Sequence, residues 1–186
     1  MESAAASSAE QRQAAFARYV LPEVEVLLRV AGTLTRRPAD AEDLVQDTLL
    51  RAYQAIQRFD GAHPRAWLLT ILRNTQINRS RRRRPELLDD PDTTSRLAAA
   101  EGTGGETPEG LVIGQTFDAV VSDALAALPD KYGQIVAMVD IAGLSYGEAA
   151  ETLGVPMGTV MSRLHRARAR MRQRLVAAGL VPRRRL

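Results

Sequence analysis

Cysteine is absent from the 186 residues. That removes disulfide scaffolds, cysteine-ligated zinc and thiol redox chemistry. Aromatic residues supply only 4%. No apolar run approaches the roughly 20 residues of a membrane-spanning helix. The opening MESAAASSAEQRQ lacks the charged-then-apolar layout of a secretory signal, so a cytosolic protein without membrane insertion is expected. Two histidines lie far apart, and Asp89, Asp90 and Asp92 sit in a segment too unsupported for a metal. No enzyme, cofactor or metal site is expected. The glycines of GTGG at 102–105 are not followed by Gly-Lys-Ser/Thr and form no phosphate loop.

What the chain has is helical periodicity and segregated charge. A hydrophobic fraction of 45% excludes general disorder. Short Ala, Leu and Val runs at helical spacing point to an all-α fold. Two small helical domains are expected, joined by a flexible acidic linker, the C-terminal one a helix-turn-helix. The net charge of +3 conceals the distribution. Residues 62–84 hold seven arginines and no carboxylate, residues 85–110 seven carboxylates and one arginine, and residues 157–186 nine arginines and no acid. Clustered charge of one sign attracts a polyanion better than an even scatter does.

The expected boundaries are a disordered N-terminus at 1–13, a first domain at 14–84, the linker at 85–110, a second domain at 111–178 and a basic tail at 179–186. Phe16, Val20, Val24, Leu27, Leu28, Ala31 and Leu34 make an apolar stripe through 14–35, with Pro22 bending or restarting the helix. Asp40 is expected to cap a helix over 41–58, with Asp43 in its first turn. Val45, Leu49, Ala52, Ile56 and Phe59 form its buried seam. DGAHP leads into a third helix over 65–82. Pro85, Pro91, Pro108 and four glycines make 85–110 a linker.

The densest local pattern is LSYGEAAETLGVPMGTVMSRLHRARARMRQRL, residues 144–175. Ser145 and Glu148 have capping-box spacing, and Gly154 follows a short helix that ends at Leu153. Pro156 then starts a long helix, which completes the helix-turn-helix pattern. Val160, Leu164, Ala167 and Met171 seat that second helix. Its other face carries Gly158, Ser162 and His165, flanked by Met161 and Arg166, side chains suited to a major groove.

This stretch closely resembles the C-terminal promoter-binding region of the extracytoplasmic-function (group IV) sigma factors of bacterial RNA polymerase. DAEDLVQDTLLRAYQAIQRFDGAHPRAWLLTILRNTQINRSRRRR, residues 40–84, resembles their N-terminal domain. One departure is Ala149, where the family more often has isoleucine, a question of packing. The resemblance implies a subunit that binds core RNA polymerase and directs promoter recognition, melting and initiation of its own regulon, expected to be stress-responsive. Asp43, Gln46, Asp47 and Leu50 would dock on the beta′ clamp coiled coil, and the C-terminal domain on the beta flap. His63, Trp67, Arg73, Asn74, Asn78, Arg79, Arg81 and Arg82 would serve the minus 10 element, with the loop Asp60–Pro64 selecting the captured base. Trp67 stays open between base platform and core. Gly158, Thr159, Met161, Ser162, Arg163, His165, Arg166 and Arg170 would serve the minus 35 element. The acidic linker would lie in the path of the nascent RNA, and an anti-sigma factor is an expected partner. On residues alone two rivals remain: a sigma-like decoy that binds only an anti-sigma protein, and a stand-alone helix-turn-helix repressor that would leave 41–84 unused.

Overall fold

Backbone is described for residues 2–35, 37–83 and 117–180 of a computed structural model, and side chains for 8–35, 37–81 and 119–180. The linker 85–110, Arg84, the Arg82 side chain and residues 181–186 fall outside the described residues. Regular structure among the described residues is entirely helical. The first half comprises α1 (Glu2–Tyr19), α2 (Val24–Leu34), α3 (Pro38–Ala55) and α4 (Pro64–Arg83), with 3₁₀ turns at Leu21–Glu23 and Ile56–Arg58. The second half comprises α5 (Phe117–Ala126), α6 (Asp130–Val136), α7 (Tyr146–Leu153) and α8 (Met157–Ala177). A π-helical turn, Ala137–Ile141, extends α6.

Local chemistry sets the breaks. Pro22 has no N–H to continue α1, so the chain tightens into a 3₁₀ turn and restarts as α2. The tightened turn shifts the helical register. Val26, Leu27, Val30 and Ala31 are buried, whereas Leu28 faces solvent, which corrects the expected stripe at Leu28. Helix α3 begins at Pro38, with Arg37 rather than Asp40 at the N-cap. Proline suits the first turn because its missing N–H would be an orphan there, and Asp40 pairs back to Arg37 at 3.1 Å. Residues 2–13, expected to be disordered, are helical. Their Ala, Glu, Gln and Arg composition favours a helix. Arg12 donates to Gln57 (3.1 Å) and Gln57 donates to Ser8 (3.0 Å), which fastens α1 to the turn after α3.

The cores of the two halves are continuous. Leu27, Val30, Leu44, Leu68 and Leu72 belong to the same buried apolar cluster as Ile135, Met138, Ala142, Leu164 and Ala167. Helix α2 meets α6 and its π turn, and α4 meets α7. Burying a large aliphatic side chain contributes about 1.5–3 kcal/mol, so this shared cluster dominates cohesion. Ala149, the position expected to raise a question of packing, is fully buried.

The turn of the helix-turn-helix rests on Gly154, at φ 64°, ψ 38°. A Cβ there would meet nothing within 4 Å, and the same holds for Gly133 inside α6, which lacks a positive φ. The two glycines therefore separate backbone strain from crowding. Gly154→Ala should destabilise by about 1 kcal/mol through the left-handed conformation alone. Gly133→Ala should stabilise by about 0.5–1 kcal/mol. Thermal unfolding of both variants checks the pair of opposite signs.

Candidate nucleic-acid interface

Helix α7 carries a complete capping box. Glu148 N–H donates to Ser145 Oγ at 3.2 Å, and Ser145 N–H donates to Glu148 Oε2 at 2.9 Å. The Ser145 hydroxyl adds a 2.6 Å bond to the same carboxylate oxygen. At the other end Gly154 N–H returns to Glu151 O (3.2 Å) and Val155 N–H to Ala150 O (3.1 Å). Both ends being fixed, α8 leaves the turn with Val160, Leu164 and Ala167 buried. The face opposite is open: Gly158, Met161, Ser162, His165, Arg166 and Arg170 are exposed, and Thr159 and Arg163 are half-buried at its edge. Met161 leaves 51% of its surface uncovered.

Behind that face lies a layer of residues that hold arginines. Tyr132 is buried, with the Arg170 guanidinium 5.0 Å above its ring. The Arg166 guanidinium beside the phenol oxygen is the main cause of a tyrosine pKa below its ordinary value. Arg168 donates Nε–H to Asp140 Oδ2 at 3.2 Å, and this bond holds its guanidinium more firmly in the charged form. Asp140 sits in the π turn. Neither Tyr132 nor Asp140 carried a sequence signal for this task. Both read as ordinary residues of an amphipathic helix.

In the first half, α3 shows solvent a face of Asp43, Gln46, half-buried Asp47 and Leu50, the last 63% exposed. Buried Leu44, Val45, Thr48 and Ala52 lie beneath. Thr48 satisfies its hydroxyl by donating to Leu44 O at 2.7 Å, so a polar residue is accommodated in the seam.

Helix α4 follows an irregular loop. Asp60 Oδ1 accepts the Ala62 N–H at 2.9 Å, and Gly61 adopts φ 84°. His63 is the one described non-glycine residue with positive φ, at 48°. A strained residue of that kind persists only where its surroundings hold it. Trp67 is half-buried and stacks on Phe59 with centroids 4.4 Å apart. It packs on the core and also lines a cleft of about 390 Å³ together with His63, Ala66 and Thr70. Asn74, Asn78 and Arg81 are exposed. Arg73 and Arg79 are not free: Arg73 donates to Leu153 O at 3.3 Å, and Arg79 pairs with Asp47 at 3.0 Å and donates to Asp40 O. The α4 arginines thus divide into a tethered set and an open end.

Two residues outside the expected set complete this side. Arg65 bridges Glu23 (2.7 Å) and Ala142 O (2.9 Å), and its bond to Glu23 raises its pKa further. Glu148 Oε1 lies 2.9 Å from His63 Nδ1. The Ser145 hydroxyl and N–H, with a lesser contribution from His63, hold the Glu148 carboxyl below its usual range. Spacing revealed the cap, but nothing in the sequence joins Glu148 to a histidine 85 positions away.

Residues 20–86 match the Sigma-70 region 2 family, and residues 119–171 match the Sigma-70 region 4 family. The chain is 36% identical over 150 residues to the ECF RNA polymerase sigma factor SigE of Mycolicibacterium smegmatis, covering 79% of this chain and 56% of the relative's length. It is 35% identical over 178 residues to SigL of Mycobacterium tuberculosis, covering 94% of this chain and 97% of that protein. The sigma factor RpoE of Bartonella quintana, solved with the anti-sigma factor NepR, superposes with a TM-score of 0.67 at 29% identity, over 87% of this chain and 96% of that one. Regions 2 and 4 in this order define a sigma-70-class protein. Within that class, the chain belongs to the extracytoplasmic-function RNA polymerase sigma factors.

The lowered Glu148 pKa has a fixed sign. Its contribution to stability is complete above the pKa of an unfolded glutamate and disappears as pH falls through the lower folded-state value. Ser145→Ala should cost about 1 kcal/mol at neutral pH. Glu148→Gln, which keeps the box geometry, should flatten the acid side of a plot of melting temperature against pH. An unchanged acid limb would show that the carboxylate's hydrogen bonds contribute nothing.

Proposed function

We propose that this protein directs core RNA polymerase to a promoter set of its own, acting as a dissociable initiation subunit and not as an enzyme. The observation that carries the reading is the face of α8: an uncovered strip of Gly158, Met161, Ser162 and His165 above a buried seam, followed by arginines. A helix seated in this way can enter a major groove without disturbing its core. The polar face of α3 with its exposed Leu50 supports docking on the polymerase clamp coiled coil. The open end of α4, Asn74, Asn78 and Arg81, supports contact with an unpaired strand, whose backbone needs cations and whose bases need stacking surfaces. Trp67, on the cleft and half-buried, suits that stacking. The acidic segment 85–110 is proposed to follow the RNA path, where carboxylates stand in for phosphates. The protein is proposed to work in the cytoplasm and to be held in check by an anti-sigma factor, as the RpoE relative is bound by NepR. Region 4 is proposed to meet the beta flap, and the regulon to serve a stress response.

Leu50→Ala combined with Asp43→Lys should weaken binding to core polymerase at least tenfold, which is about 1.4 kcal/mol, without loss of helical circular dichroism. Unaltered affinity in a titration would remove α3 as the docking face.

The environment of α8 sorts its contacts. His165 and Ser162 face outward, whereas Arg166 and Arg170 are held against Tyr132 and so aim at a backbone path. In a randomised-promoter selection with holoenzyme, His165→Ala should change the preferred minus 35 sequence, a base contact being worth about 1–3 kcal/mol of discrimination. Arg170→Ala should weaken all sequences alike. If His165→Ala leaves the preference intact, sequence is read by other residues.

A further inference from the structure

The exposed face of α8 has two unlike flanks. At 3.6 residues per turn, Met157 and Met161 lie along one flank and Arg166 and Arg170 along the other, with Gly158, Ser162 and His165 between them. Met157 leaves 54% of its surface uncovered and Met161 51%. They stand one turn apart on the helix and so adjoin. The other methionines with described side chains are inside: Met138 is fully buried, and Met171 packs against the core. Arg168, further along the methionine flank, is turned back to Asp140.

The middle of the face is low. Gly158 has no side chain, and a Cβ there would meet no neighbouring group within 4 Å. Its φ is not positive. Neither packing nor backbone conformation therefore asks for glycine, which is a poor helix former. Ser162 donates its hydroxyl to Thr159 O at 3.1 Å, which keeps that group close to the helix. A surface can approach this helix closely, and on one side it then meets the two methionines.

We propose that Met161, flanked by Met157, seats the C5 methyl group of a thymine in the minus 35 element and so fixes a T·A pair there. This rests on the reading of α8 as the minus 35 helix and names the base chemistry that one flank of it takes. Every base pair offers hydrogen-bonding atoms to the major groove, but among the four standard bases only thymine projects an apolar group there. A recognition helix reads base edges with its N-terminal residues. Met157 is the first residue of α8, and Met161 lies one turn in. Methionine is unbranched and polarizable, and it adapts to an irregular apolar contour. Against a G·C pair the same side chains would cover polar atoms without satisfying them, which is a cost. The arginine flank answers the phosphates, so one flank holds the backbone while the other distinguishes a base.

The test uses holoenzyme formed from core polymerase and the full chain. The duplex promoter carries the minus 35 sequence that this holoenzyme prefers in a randomised pool. Each thymine of that element, on both strands, is replaced in turn by deoxyuridine, which lacks the C5 methyl and keeps every hydrogen-bonding atom. At one or two positions the wild type should lose about fourfold in affinity, the worth of one buried methyl-sized group. Met161→Ala should lose about as much on the thymine promoter and nothing further at the uridine position, the coupling expected of groups in contact. Met161→Leu, still apolar, should keep the uridine penalty. Because Met161 is exposed, neither variant should change the melting temperature. An element without thymine, a uridine scan without effect, or a penalty that survives Met161→Ala overturns the proposal. Weaker binding of Met161→Ala to core polymerase alone would assign the methionines to a protein contact and also overturn it. A clear minus 35 preference alongside any of these results leaves α8 standing as the reading helix. A pool that yields no preference removes both.

Discussion

One carboxylate both caps a helix of the second half and reaches across to the first, beside the apolar cluster that the halves share. Glu148 Oε2 accepts from the Ser145 hydroxyl and N–H and so starts α7, the helix that supports recognition helix α8. Its Oε1 faces the loop before α4 and meets His63. The cap and the interdomain contact cannot be placed independently, because two oxygens 120° apart on one carbon set both directions. Together with the Arg73 bond to Leu153 O and the shared apolar cluster, this contact orients α7 on α4.

Charge segregation takes on a different meaning once partners are visible. Arg65, Arg79 and Arg168 are each held by a carboxylate, Glu23, Asp47 and Asp140 respectively. Partly exposed ion pairs of this kind contribute about 0–1 kcal/mol each, so they orient guanidinium groups more than they stabilise the fold. Stability comes from the apolar cluster that runs from Leu27 and Leu72 through Met138 to Leu164. The pair Arg79–Asp47 ties the face of α3 to the side of α4, so the surface proposed for polymerase and that proposed for DNA share one ion pair.

Much of this was legible in the sequence, where local rules suffice. The capping box, the left-handed Gly154 and the buried Val160, Leu164 and Ala167 all follow from spacing within one helix-turn-helix, and the structure has them as read. The all-helical fold and the family likewise stand. Register at Pro22 was misread because a 3₁₀ turn displaces the stripe, burying Val26 and Val30 in place of Val24 and Leu28. The helical N-terminus was missed because its small polar residues have no apolar stripe, and its anchor, Gln57, lies 45 residues beyond Arg12. The tethering of Arg73 and Arg79, the roles of Tyr132 and Asp140, and the His63–Glu148 contact depend on tertiary placement. No pattern in a linear chain encodes a pair 85 positions apart.

The central claim is that promoter opening requires this chain and polymerase together. Permanganate reactivity of thymines on a promoter drawn from the selected pool measures it directly. The account predicts reactive thymines just upstream of the start site with holoenzyme, and none with polymerase or this protein alone. Reactivity with the protein alone, or none with holoenzyme on a promoter it binds, would contradict it.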